Sequence, residues 1–172
     1  MTIPTLKTPH LILRPWKLDD AEALFAILQE ADILKYFPPT VFTLEKTQLY
    51  ITHQLDHWQE RGYGHWAVTL REDLRVVGWD GLEFLPETGE DEVAYLLSGW
   101  VWGRGFATEA AQAAVRFGFD NADLKAIIGL VHPQNFGSIR VLEKCGLTFI
   151  DRKVYWGMEM LRYRKESPAL TR

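Results

Sequence analysis

The chain has 172 residues, the size of one domain able to bury its own core. Hydrophobic residues make up 47% and charged residues 24%, as in globular proteins, and the net charge of −4 argues against general nucleic-acid binding, which needs a basic surface. No apolar run suits a membrane helix, the start Met1-Thr2-Ile3-Pro4-Thr5-Leu6-Lys7 lacks a signal-peptide core, and a single cysteine fits a reducing compartment.

These features predict one cytoplasmic domain over residues 1–172, with a frayed tail from about Ser167, and with neither nucleic acid nor membrane as partner. Oligomeric state is left open, a homodimer included. Pro38-Pro39 and Pro86 to Gly89 are loop signals too short to divide domains.

Leu11, Leu13 and Pro15 alternate with Ile12, Arg14 and Trp16, which reads as the first strand. Asp19-Asp20-Ala21-Glu22 is an Asp-x-x-Glu capping pattern, and Ala21, Leu24, Phe25 and Leu28 follow at helical spacing. A second helix is expected from about Thr43 to Arg61, with Ile51, Leu55 and Trp58 inward and Gly62 as its stop. A meander follows: Trp66 to Leu70, Val76 to Phe84 and about Asp91 to Leu97. Then Gly103-Arg104-Gly105 leads into a helix from about Ala107 to Phe119, with a narrow stripe of Ala110, Ala111, Ala114, Val115 and Gly118. Ala126 to Val131 is nearly all apolar, so it belongs inside the sheet. A short helix from about Gly137 to Cys145 stops at Gly146, and strands near Phe149 to Tyr155 and Met158 to Tyr163 close the chain. The expected architecture is α/β: a mixed, mostly antiparallel sheet with helices on both faces.

Trp102-Gly103-Arg104-Gly105-Phe106-Ala107-Thr108-Glu109-Ala110 sits between a strand and a helix. Glycines let the backbone approach a ligand, and the first helical turn offers free N–H groups and partial positive charge. Together these make an anion site, to which Arg104 adds a cation. A dinucleotide loop would need a third glycine where Thr108 stands, and a Walker loop would need Gly-Lys-Ser/Thr. A glycine turn without a ligand is the plain alternative.

Three segments occur in order: Leu11 to Trp16 with Asp19-Asp20, Trp102 to Ala110, and Asn135-Phe136-Gly137-Ser138-Ile139-Arg140-Val141-Leu142-Glu143-Lys144-Cys145-Gly146-Leu147. Together they closely resemble the GNAT acetyltransferase superfamily, in the branch containing the ribosomal-protein N-terminal acetyltransferases RimJ and RimL. The resemblance covers Leu11 to Phe149. Where the wider superfamily often has Gln or Arg, this chain has Trp102, a mark of that branch.

The resemblance implies the GNAT fold, with a sheet splayed at the cofactor site, acetyl-CoA as co-substrate and no metal. It implies direct attack by a primary amine in a ternary complex. By it, Gly103, Arg104, Gly105, Phe106, Ala107 and Thr108, after Trp102, wrap the pyrophosphate. The pantetheine arm pairs along Tyr95 to Ser98, Leu97 included, and Asn135 and Ser138 lie near the arm and thioester.

Acetyl transfer needs a neutral amine, a polarised carbonyl and a leaving thiol, whose ordinary pKa of about 8.5 makes acid catalysis a modest aid. Ser138 reads as a proton donor or as a helix-capping serine, and Asn135 as an N-cap or a cofactor contact. Glu92 and Glu83 are the candidate bases, directly or through a water, or else solvated strand residues. His132 could relay protons or be structural, and Cys145, before a helix stop, reads as inert packing. Arg140 and Lys144 either face the cofactor phosphates or are solvated. Among Phe37, Trp58, Tyr63 and Trp66, Trp66 is expected to border the acceptor pocket.

At pH 7 a lysine-like amine costs about 4.6 kcal/mol to deprotonate and a peptide α-amine about 1.4. With Glu83, Glu92 and His132 isolated and no acidic cluster, an α-amine on a protein N-terminus or amino-acid-like molecule is favoured. The alternatives are a polyamine or antibiotic acetyltransferase, a non-catalytic acyl-CoA-binding sensor, and a nucleotide-binding module.

Overall fold

The computed structural model describes residues 2–168. Strands are β1 (Leu6–Lys7), β2 (Leu11–Arg14), β3 (His65–Leu70), β4 (Val76–Leu85), β5 (Glu90–Leu97), β6 (Ala126–Val131), β7 (Thr148–Tyr155) and β8 (Met158–Glu166). Helices are α1 (Ala21–Leu28), α2 (Leu44–Arg61), α3 (Phe106–Asp120) and α4 (Phe136–Lys144). One eight-stranded sheet runs β1-β2-β3-β4-β5-β6-β8-β7. Every neighbouring pair is antiparallel except β5 and β6, which α3 joins as a parallel crossover. This is the expected mixed α/β architecture.

Local chemistry sets most boundaries. The Thr43 hydroxyl accepts the Lys46 N–H at 3.1 Å and starts α2, and Gly62 stops it in the left-handed conformation at φ 78°. Leu147 N–H donates to the Leu142 carbonyl and Gly146 N–H to that of Glu143, which is the Schellman pair that closes α4.

The first helix starts differently from the expected pattern. Its turn is a short 3-10 helix, Leu18–Asp20, running into α1. Asp20, not Asp19, is the organising acid: its carboxylate accepts the Lys17 N–H at 2.8 Å and two Arg14 bonds of 2.7 Å. Strand β2 ends at Arg14, short of Trp16, so that this pair can form. The two-residue β1 carries no readable alternation. At the other end Ser167 is buried, and its N–H donates to Lys125 at 2.8 Å, so the expected fraying does not begin there. Residues 169–172 of that expected tail lie outside the described residues.

Two cores flank the sheet. On one face the small-residue stripe of α3 (Ala110, Ala111, Ala114) packs against Leu11, Leu13, Leu82 and Ile127. A Cβ on Gly118 would meet Ile127 and Leu82 methyls at 2.8 Å, which shows how closely this helix lies on the strands. On the other face α1 and Ile51 of α2 bury Leu24, Ile27 and Leu28 against Ala67, Trp79 and Leu96. Burying such side chains contributes about 1.5–3 kcal/mol each.

Candidate active site

Strands β5 and β6 meet only at Glu92 and Ile128. Beyond that pair they part, and the C-terminal half of β5 keeps β4 on one side and an open edge on the other. Three sets of residues surround the opening.

The first follows β5. Gly103 and Gly105 have φ of 75° and 77°, a conformation costly for other residues, and a Cβ on either would meet nothing within 4 Å. Gly105 is the N-cap of α3, and no side chain caps that helix start. The Arg104 guanidinium lies 4.5 Å from the ring centre of Phe106, which is itself buried. The exposed Trp102 donates its indole N–H to the Leu97 carbonyl at 2.7 Å, tying the loop to the strand end. Ser98 is fully buried, and its hydroxyl is turned away to donate to Glu30, which also takes the Gly99 N–H at 2.7 Å. Ser98 therefore offers the opening no hydroxyl, and its backbone is engaged as well: its N–H donates to Val77 at 2.8 Å and its carbonyl accepts the Val101 N–H at 3.1 Å.

The second set comes from α4. The Asn135 side chain accepts the Ser138 N–H at 3.2 Å, so Asn135 is the N-cap that one of its two readings proposed. The Ser138 hydroxyl is not a cap. It pairs at 2.7 Å with the phenol of Tyr95, which reaches across from β5. Burial pushes the Tyr95 phenol above its ordinary pKa of 10, more than the Ser138 hydrogen bond lowers it, so it stays protonated. Tyr95 escaped the sequence reading except as the start of a strand segment. Arg140 and Lys144 are exposed on the same helix. Cys145 is 4% exposed, and burial pushes its thiol up to about 12, which keeps it un-ionised and inert.

The third set lies where the strands part. Glu92 is 8% exposed, and its carboxylate accepts the Leu130 N–H of β6 at 3.0 Å. Burial raises its pKa to about 8; the Leu130 bond opposes the shift and the charge of Glu83 adds to it. Glu83 is the direct cross-strand partner of Glu92, so both side chains leave the same face. Beside Glu83 stand Gln54, with its amide nitrogen at 3.5 Å, and His65, with Nε2 at 3.8 Å. The His65 ring stacks on Trp79 with centroids 4.5 Å apart, and its Nδ1 is 2.8 Å from the Tyr50 hydroxyl. Burial drives His65 down to about 3, helped by the charges of His57 and His53, so the imidazole is neutral. The structure thus joins Glu83 and Glu92 and adds His65, Tyr50, Gln54 and Trp79, none of which the sequence reading singled out.

Other candidates lie elsewhere. The His132 ring lies 5.1 Å from that of Tyr36, tilted by 32°, and its Nδ1 accepts the Gln134 N–H at 3.1 Å, which fixes it in the turn after β6. Trp66 is fully buried on the α3 side, against Trp58 and Phe117, and donates its indole N–H to Pro4 at 2.8 Å. It does not share the face of Glu83 and Glu92, which the preceding residue, His65, occupies instead. Tyr63 is buried and its hydroxyl donates to Asp91. Phe37 lines an apolar hollow of about 90 Å³ between α1 and the sheet. A wider groove of about 630 Å³ runs along the outer side of α3, past Lys7 and Arg116; Glu92, Tyr95 and Ser138 do not line it.

Comparison with known proteins agrees with this geometry. The family described as the acetyltransferase (GNAT) domain matches residues 10–148. An N-acetyltransferase of Bacillus licheniformis, p20, is 31% identical over 140 residues, covering 80% of this chain and 79% of that protein. The crystal structure of an acetyltransferase from Agrobacterium tumefaciens superposes with a TM-score of 0.84 at 30% identity, over 96% of each chain. RimL, the ribosomal L7/L12 α-N-protein acetyltransferase solved in complex with coenzyme A, shares the fold with a TM-score of 0.79 at 18% identity, over 98% of this chain and 99% of that one.

Proposed function

Because the chain belongs to the GNAT acetyltransferase family, we propose that it transfers the acetyl group of acetyl-CoA to an α-amine, on a protein N-terminus or an amino-acid-like molecule, within a ternary complex. The observation that carries this reading is the parting of β5 from β6 beyond Glu92 and Ile128. It leaves the edge of β5 beside Tyr95 without a partner strand, open to a pantetheine arm, with the Leu97 carbonyl held by the Trp102 indole. The open space over Gly103 and Gly105, at an uncapped helix start, fits a pyrophosphate on the N–H groups from Arg104 to Thr108. The likeness in fold to RimL supports the α-amine class.

Acetyl-CoA supplies the acetyl group as a thioester; the C–N bond forms, the C–S bond breaks and the coenzyme leaves as a thiol. Glu92 takes the proton of the attacking amine, directly or through one water. Its pKa of about 8 is close to that of an α-amine, near 7.7–8.0, so the transfer is nearly balanced. Glu83 adds negative charge that attracts the ammonium form. The Tyr95 and Ser138 hydroxyls pair at 2.7 Å, and the Tyr95 hydroxyl is also 3.2 Å from the Ser138 carbonyl; in the proposed reaction Tyr95 is the donor to the Ser138 hydroxyl oxygen, which frees the Ser138 O–H to hydrogen-bond the departing sulfur. Cys145 takes no part.

A side-by-side thiol-release assay of N-terminal peptides, free amino acids, polyamines and aminoglycosides tests this. The expected winners on kcat/KM are peptides or amino acids. A hundredfold advantage for polyamines or aminoglycosides would overturn the α-amine assignment.

A further inference from the structure

The apolar hollow lies on the same face as Glu83 and Glu92. Leu24 and Leu28 of α1, Phe37 of the connection to α2, Trp79 of β4 and Leu96 of β5 form much of its wall, and Tyr50 of α2 closes one side. Leu96 lies in the β5 segment whose free edge faces the opening, but its side chain leaves the other face of the sheet from Tyr95. The hollow has a polar edge on one side. Tyr50 reaches His65, Trp79 stacks on His65, and His65 stands beside Glu83.

We propose that this hollow receives a branched aliphatic side chain next to the amine that is acetylated, so that the acceptor is a leucine- or valine-like α-amine. The inference rests on the acetyltransferase reading above. Three observations carry it. The wall is almost wholly apolar, with the Tyr50 hydroxyl turned to His65, so a charged or strongly polar side chain would lose hydration there without a partner. The Glu83 carboxylate, with the Glu92 carboxyl group opposite it on the same face, complements an ammonium arriving there. The volume also discriminates. A cavity of about 150 Å³ takes a benzene ring, whereas about 90 Å³ suits an isopropyl or isobutyl group. From Glu92 to Leu96 the strand spans about 13 Å, so an amine held midway stands within one water of the carboxylate while its side chain reaches the hollow.

The test uses the whole chain with acetyl-CoA and the amides of glycine, serine, leucine and phenylalanine, with spermidine as a non-α-amine control. Leucinamide should exceed glycinamide and serinamide at least tenfold in kcat/KM, and phenylalaninamide should fall below leucinamide. Phe37→Glu, at a half-buried wall position, should erase the leucine preference, and Leu34→Phe, which enlarges another half-buried wall residue, should weaken it; circular dichroism checks that both variants fold. Binding is read separately, by NMR titration of the Trp79 indole with leucinamide and glycinamide in the presence of coenzyme A. Equal turnover of the four amides would overturn the hollow's assignment and leave α-amine acetylation standing. Turnover of spermidine alone would overturn the α-amine reading, and the titration then decides the hollow: a saturating leucinamide-specific shift supports it, and equal or absent shifts overturn it.

Discussion

The Glu92 carboxylate accepts the N–H of Leu130 at 3.0 Å, bridging β5 and β6 just where their own ladder ends. One side chain therefore satisfies a strand N–H that the parting would orphan, and holds a buried acid at the mouth of the opening. In the proposed reaction only the ionised form can act as base. With a pKa of about 8, kcat/KM should climb with pH and level off above about 8. Glu92→Gln keeps an oxygen for Leu130 but cannot take a proton, so it should lose on the order of a hundredfold in rate along with that pH limb. A Glu92→Gln enzyme with an unchanged profile would remove Glu92 from the base role and leave Glu83 to be tried.

The same burial leaves a mark on stability. Glu92 has a folded pKa of about 8, above its ordinary 4.5, so the folded state holds the proton more tightly. Its contribution is complete below about pH 4.5 and is lost as pH rises towards 8. His65 runs the other way. Its folded pKa of about 3 lies below the ordinary 6.5, so its contribution is complete above pH 6.5 and is lost as pH falls towards 3. Between pH 6 and 8 the wild-type protein should lose about 2 kcal/mol more than Glu92→Gln, read by urea melts at the two pH values. The comparison with the variant cancels the buried Asp80, whose raised pKa gives a slope of the same sign.

How much of this could be read from the sequence depends on the range of each interaction. Thr43, Gly62, Asn135 and Gly146 act within one helical turn, and the expected boundaries of α2 and α4 agree with the structure to within about a residue. The side taken by Trp66, in the core under α3 and away from Glu83 and Glu92, was not legible, for a different reason. Alternation fixes that His65 and Trp66 point to opposite faces, but not which face meets α3. That choice is set by Trp58, Phe117 and Pro4, distant in sequence. Tyr95 and Ser138 are 43 residues apart, and only the parting of β5 from β6 lets the phenol reach α4. The pairing of Glu83 with Glu92 needs the β4–β5 register, which two strands joined by a short turn imply but do not fix.

Gly105→Val tests the anion site. The left-handed φ of 77° strains any β-branched residue, while the space where its side chain would stand is open within the protein. The variant should therefore fold with a modest loss of stability. Acetyl-CoA, however, would meet the valine at the helix start. Calorimetry should show binding weakened more than about tenfold, or about 1.4 kcal/mol. Unchanged affinity in a folded variant would move the pyrophosphate away from this turn.

Tyr95 and Ser138 should act as one unit. The phenol is protonated and buried, and its 2.7 Å contact is with the serine hydroxyl, so it works through Ser138 and is a positioning residue. A thiol leaving group of pKa about 8.5 needs only modest help, so Ser138→Ala should lower kcat by about tenfold to a hundredfold. Tyr95→Phe removes the partner that orients the serine proton and should cost a similar factor with little change in KM. The double variant separates the models. If the two hydroxyls form one relay, losing both should cost scarcely more than losing Ser138 alone, because Tyr95 has nothing to act through once the serine is gone. If each acts on its own, the two losses multiply, to a hundredfold or beyond. Multiplied losses, or a Tyr95→Phe enzyme with full kcat, would break the relay while leaving Glu92 and the acetyl-CoA site untouched.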